Sequence, residues 1–79
     1  MALQVLLSAT LRRCVPDYDP TEGIRLEVEP GTTVREVIRR LNLPEKEIKL
    51  IMVNGLASPP DTALQGDERV AFFPPVGGG

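Results

Sequence analysis

Between residues 24 and 29 apolar and polar side chains alternate strictly, with Ile24, Leu26 and Val28 set against Arg25, Glu27 and Glu29. A period of two predicts a strand with one buried and one wet face. Residues 2–9 are apolar at both parities, Leu3, Val5 and Leu7 alternating with Gln4, Leu6 and Ser8, which suits a strand covered on both sides. After Pro30-Gly31 the period changes: Val34, Val37, Ile38 and Leu41 fall at helical spacing and form one apolar stripe. Thr33-Val34-Arg35-Glu36 reads as a capping box, in which the Thr33 hydroxyl accepts from the Glu36 N–H and the Glu36 carboxylate reaches back. Pro44 places the end of that helix near Asn42. Its arginines, Arg35, Arg39 and Arg40, read as a solvated face.

Residues 48–53 are strongly apolar and run into Asn54-Gly55, a tight-turn signal, so a short returning strand is expected at Leu56-Ala57. Pro59-Pro60-Asp61 reads as a loop, and Thr62-Ala63-Leu64 as a single helical turn that tucks Leu64 under the sheet. Gly66-Asp67-Glu68 turns the chain into a last strand at 69–73, with Val70 and Phe72 on one face and Ala71 and Phe73 on the other. The stretch from Arg12-Arg13 to Gly23 holds two prolines, two aspartates and a glycine, and reads as a long loop with the arginines in solvent. One helix must then cover one face of a mixed sheet, because its stripe has nothing else to pack on. Strands one and five, apolar at both parities, belong side by side in the centre. The predicted class is α+β, a β-grasp (ubiquitin-like) roll whose first and last strands pair in parallel.

Length and composition narrow the function. Seventy-nine residues make one domain, and a chain this short buries only about 60–65% of its unfolded surface. A net charge of −2 argues against a nucleic-acid partner, since such domains are usually basic. There is no histidine and one cysteine, so no metal site is expected. Cys14 reads as a small packing residue rather than a sulfur relay. The apolar start, Met1 to Leu7, lacks the basic flank of a signal peptide and the length of a membrane span, which makes the cytoplasm the expected compartment with no membrane partner.

The tail is the unusual part. Phe72-Phe73 runs into Pro74-Pro75, then Val76 and Gly77-Gly78-Gly79. Proline has no N–H and a fixed φ, so the chain must leave the sheet at Pro74 in a stiff, extended form. The division expected is a globular part over 1–73 and a protruding arm over 74–79. That arm spans at most roughly 20 Å, at about 3.3–3.6 Å per residue. Composition alone leaves two readings, a frayed terminus or a slender tether that presents the Gly79 carboxylate through a narrow tunnel where side chains would jam.

The run from Gln65 through Gly79 closely resembles the C-terminus of the MoaD family, the sulfur-carrying small subunits of molybdopterin synthase, within the wider MoaD/ThiS ubiquitin-like group. The Gly66-Asp67-Glu68 turn, Phe72-Phe73-Pro74-Pro75-Val76 and the closing glycines carry the likeness, supported upstream by Thr33-Val34 and Val53-Asn54-Gly55. The Asp17–Gly23 loop departs from the better-known members, so contacts made from it do not carry over. Gly77 is a second departure, and a looser arm loses more entropy when it docks.

The resemblance implies a carrier cycle. Gly79 would be adenylated by a ubiquitin-activating-like adenylyltransferase of the MoeB/ThiF type, using ATP, and converted to a thiocarboxylate by a sulfur donor such as a cysteine desulfurase system. A MoaE-type large subunit would accept the sulfur for the dithiolene of the molybdenum or tungsten cofactor. The chain itself would bind no cofactor and would not be an enzyme alone. Gly77 and Gly78 would form the slim tail, and Phe73, Pro74, Pro75 and Val76 the partner-binding segment, with Ala71 beside them. For Phe73, burial in its own sheet is the competing reading. A thiamin-thiazole sulfur carrier, a ubiquitin-like protein modifier and a plain interaction module are the alternatives.

Overall fold

In a computed structural model, residues 2–75 are described, and they form a five-stranded mixed sheet with one short α-helix packed on one face. The strands are β1 (Ala2–Leu7), β2 (Ile24–Glu27), β3 (Leu50–Val53), β4 (Leu56–Ala57) and β5 (Arg69–Phe73), and the helix is α1 (Val34–Arg40). Their order across the sheet is β2-β1-β5-β3-β4. β1 and β5 run parallel, with Val5 opposite Val70 and Leu7 opposite Phe72, while every other pairing is antiparallel. This is the β-grasp roll that the alternating patterns predict.

The core lies between the sheet and the helix. Leu3, Val5, Leu7, Val70, Phe72 and Ile51 point inward from three adjacent strands and meet Val34, Val37 and Ile38 of α1. Leu11, Leu43 and Leu64, all from connecting segments, close its ends. Thr33 caps α1 by accepting from the Glu36 N–H at 3.3 Å, and the Glu36 carboxylate answers through the Thr33 hydroxyl at 3.4 Å. The helix stops at Leu41 because Asn42 takes a left-handed φ of 55°, which asparagine tolerates better than most residues. At the β3–β4 hairpin both Asn54 and Gly55 have positive φ, as a two-residue turn of this hand requires.

Several sequence expectations need correction. Thr62-Ala63-Leu64 is not a helical turn: Ala63 is extended and bridges Thr33, and Leu64 N–H donates to Thr32 O at 2.8 Å. Leu64 is nonetheless buried, because that bridge places it beneath the sheet. The start of the long loop is a 3-10 helix, Ala9–Cys14, that buries Leu11, and a second one covers Glu45–Glu47. Both strands of the first hairpin end two residues earlier than their patterns suggest, and β3 starts two residues later. Arg35 is not simply solvated either. It pairs with Asp61 and, at 3.4 Å, with Glu45, and Asp61 first and Glu45 second hold its pKa above the ordinary value.

Gly23 marks the point where the long loop joins β2. Its φ is 73°, and a Cβ there would lie 2.4 Å from the Val5 carbonyl oxygen. Gly23→Ala combines left-handed strain with a clash against backbone that has no room to yield. It is expected to destabilise the fold by about 2–4 kcal/mol, read as a lower midpoint in urea.

Glu68 fixes the entry into β5. Its carboxylate accepts from the N–H groups of Gln65 at 2.8 Å, Gly66 at 2.9 Å and Asp67 at 3.2 Å, while its carbonyl takes the Gln4 N–H at 3.0 Å. Burial pushes this carboxyl up, but the backbone N–H groups, led by Gln65 and Gly66, outweigh it and leave the pKa below its usual 4.5. A depressed folded pKa stabilises the protein above the unfolded value, and the gain is lost as pH falls through the folded one. Glu68→Gln is therefore expected to cost about 1–3 kcal/mol near neutral pH. The deficit should shrink in urea titrations as the pH is taken down through the lowered folded pKa and the wild-type carboxylate is itself protonated.

Candidate functional site

β5 carries the chain towards the tail, and its position explains where that tail begins. It is held on both sides, by β1 in parallel and by β3 antiparallel, and the last sheet hydrogen bond runs from Lys49 N–H to Phe73 O at 2.8 Å. Pro74 and Pro75 follow, the first half-buried and the second exposed. Neither carries an N–H for a neighbouring strand, so the chain parts from β3 here. Val76, Gly77, Gly78 and Gly79 lie outside the described residues.

Phe72 and Phe73 divide as the alternation requires. Phe72 has no exposed surface and sits in the core, while Phe73 is half-buried on the opposite face, the one that α1 does not cover. The strand register fixes its neighbours there. Leu50 faces Phe73, and Met52 and Leu6 flank Ala71 on either side. Leu50 is 40% exposed, an unusual state for a leucine inside a strand.

This open face is concave in two places that share Ser8 and Phe73. One cleft, about 420 Å³ in volume, is walled by Ser8 and Ala9 on one side and Leu50, Phe73, Pro74 and Pro75 on the other, with Lys49 at its edge. The second, about 350 Å³, lies over Leu6, Met52 and Ala71, with Arg69 at its rim. A comparable hollow near Gln4 and Gly23 lies at the far end of β1, away from the tail. An uncovered apolar face bordered by Lys49 and Arg69 is the kind of surface that often marks an interface. Three of the predicted docking residues, Phe73, Pro74 and Pro75, meet in the first cleft.

Leu6, Leu50, Met52 and the Ser8-Ala9 wall were not foreseen from the sequence. They join Phe73 only through the register of β1 and β3 against β5, and residue patterns alone do not set register. A face-by-face listing of β3 against Ala71 and Phe73 would have found Leu50 and Met52. Among the described residues no group of three or more histidine, cysteine or acidic side chains is placed to hold a metal ion. Nor is any helix long and apolar enough to cross a membrane. Cys14 is a half-buried free thiol packed against the core.

Comparison with known proteins adds two findings. The family model that matches is that of the ThiS family, over residues 5–79. Among solved structures the chain is similar to SAMP1 from Haloferax volcanii, with a TM-score of 0.76 and 22% identity over 100% of both chains. It is also similar to a structure of H. volcanii small archaeal modifier protein 1, with a TM-score of 0.73 and 21% identity, covering 95% of this chain and 98% of that one. At these identities the likeness to solved structures speaks for the fold. No sequence among the curated proteins matches this chain.

Proposed function

The chain belongs to the ThiS family, a group of ubiquitin-like carriers and modifiers, and on that premise we propose that it carries sulfur on its Gly79 carboxylate. The observation that supports this most is the extent of the match, which takes in Gly77-Gly78-Gly79 together with nearly all of the globular part. In the proposed cycle a carboxylate oxygen of Gly79 attacks the α-phosphate of ATP on an activating adenylyltransferase, and pyrophosphate leaves. The terminal sulfur of a donor persulfide then attacks the acyl-adenylate carbonyl and AMP leaves. A thiol next attacks the donor sulfur of the acyl disulfide, forming a disulfide with it and releasing the thiocarboxylate. The chemistry is the partners'. What this chain contributes is the placement of one reactive atom at the end of a tether, where correct orientation is worth much of the barrier.

The finer assignment is to molybdopterin synthase, with this chain as the small subunit delivering sulfur to a MoaE-type partner. The Phe72-Phe73-Pro74-Pro75-Val76 run favours it over a thiamin-thiazole carrier. Phe73, Pro74 and Pro75 contact the partner body and Val76 extends that contact along the arm, while Gly77 and Gly78 keep the arm slim.

A second reading, protein modification, draws on the modifier named in the SAMP1 structures. There the same activated carboxylate meets a lysine amine instead of a sulfur nucleophile. One experiment separates the two. The protein is incubated with ATP, a MoeB/ThiF-type enzyme and a sulfur source, and its intact mass is measured. A gain equal to one oxygen replaced by sulfur, together with sulfur transfer to the pterin precursor in the presence of a MoaE-type subunit, is the expected result. An unchanged mass, with conjugate ladders forming on lysine-bearing proteins instead, would establish the modifier reading.

A further inference from the structure

The long loop between β1 and β2 does more than connect the two strands. β2 reaches only as far as Ile24, which lies opposite Val5. Gln4 and Ser8 turn their N–H groups towards β5, donating to Glu68 O at 3.0 Å and to Phe72 O at 3.2 Å. By alternation, the N–H and C=O of Leu7 face the other way, to the side that β2 has vacated. Two side chains from the loop region occupy that place. Tyr18 Oη accepts the Leu7 N–H at 2.7 Å, and Arg12 Nε donates to the Leu7 carbonyl at 3.1 Å. The Arg12 guanidinium lies over the Tyr18 ring, 6.0 Å from its centre, so the two support each other. One phenol and one guanidinium thus do for Leu7 what a single residue of an antiparallel neighbour would do. The loop holds Tyr18 there through Asp19, whose carboxylate accepts from Thr21 and Glu22 and whose carbonyl takes the Gly23 N–H at 2.8 Å.

The next two residues after Leu7 are the wall of the cleft at the root of the tail. Ser8 O accepts the Leu11 N–H at 3.1 Å as β1 breaks into its 3-10 helix, and Ala9 takes a left-handed φ of 51°. A non-glycine residue at such a φ persists only where its surroundings hold it. On one side Ser8 is bonded to β5. On the other, the Arg12–Tyr18 pair anchors the peptide immediately before it.

We infer that Arg12 and Tyr18 are positioning residues: by closing the vacated side of Leu7 they fix the Ser8-Ala9 wall of the cleft that Phe73, Pro74 and Pro75 also line, and with it the place where the chain leaves β5. The inference rests on the proposed carrier role for its functional consequence, though not for its structural one. A tether that is aimed loses less freedom when a partner takes it up than one that swings. Loosening the wall therefore weakens uptake more than it slows the chemistry that follows.

Tyr18→Phe keeps the ring and removes the acceptor, Arg12→Ala removes the donor, and Arg12→Lys retains a donor. Amide exchange on the free protein should accelerate at Leu7, which donates to Tyr18 Oη, and at Ser8, which donates to Phe72 O, by about fivefold or more in Tyr18→Phe and Arg12→Ala, with Val70 unchanged. Arg12→Lys should restore much of the protection at Ser8. A purely global loss of stability would instead speed Leu7, Ser8 and Val70 together, and would overturn the inference. In the adenylation assay, KM for the variant carriers should rise about fivefold with kcat little changed. Altered exchange with an unchanged KM would also overturn it. If the wild-type chain is not adenylated at all, the carrier reading falls. The positioning inference is then judged by the Phe73 amide resonance, which should shift or broaden in Tyr18→Phe if the wall aims the tail root and stay in place if it does not.

Discussion

Removal of Gly78 and Gly79 should abolish sulfur loading while leaving the fold as stable as before. Among the described residues, core side chains extend from Leu3 to Phe72 and the last sheet hydrogen bond ends on Phe73, and the deletion leaves all of these in place. Its effect on the chemistry is much larger. Two residues shorten the arm by about 7 Å, at about 3.3–3.6 Å per residue. On the proposed carrier reading an activating enzyme would hold the domain some distance from the reacting atom, so a shorter arm would withdraw the carboxylate from the α-phosphate. A misplacement of about 1 Å already costs on the order of a hundredfold in rate, and several ångströms leave no productive encounter. The expected outcome is an intact mass that does not change on incubation with ATP, activating enzyme and sulfur source, and a thermal midpoint equal to that of the full chain. Loading of the shortened chain at the wild-type rate would refute Gly79 as the reactive residue and return the tail to being a passive end.

How much of this was legible beforehand depended on the kind of interaction involved. Strand and helix identity came from period alone, because a strand alternates every two residues and a helix returns every three to four. The pairing of β1 with β5 followed from their apolar content at both parities. Turns were readable where a residue type is demanded by its backbone, as at Asn54-Gly55. The misses share a different cause. Ala9–Cys14 and Ala63 are shaped by contacts with distant chain, Leu11 by the core and Ala63 by Thr33, and no local pattern reports a partner far along the sequence. Leu50 and Met52 belong to a run that reads simply as a strongly apolar strand. Half of that strand instead faces outward, and only the register with β5 shows which half. The Arg12–Tyr18 closure over Leu7 is the extreme case, since arginine and tyrosine in a polar loop give no sign that they complete a sheet.

Phe72→Ala should cost about 3–5 kcal/mol, the usual range for deleting a buried aromatic ring. Phe72 is fully enclosed and lies on the central strand, opposite Leu7 on one side and Ile51 on the other. Its ring therefore touches both halves of the sheet, and strands on either side would have to shift to fill the hole. Native domains are stable by only about 5–15 kcal/mol, so this single change removes a large share of the total. For a domain of this size the thermal midpoint should fall by at least about 12 °C. Phe73→Ala supplies the contrast. That ring stands one residue along, on the uncovered face beside Leu50 and Pro74, where its removal opens a shallow cleft rather than a sealed cavity. Its stability cost should be no more than about 1 kcal/mol, typical of a site at the surface, while binding to the activating enzyme should weaken. Equal melting losses for the two variants would mean that Phe73 is packed as a core residue and that the open face is not a docking surface. A large loss for Phe72→Ala alone, with weakened partner binding confined to Phe73→Ala, would assign stability to one face of β5 and recognition to the other.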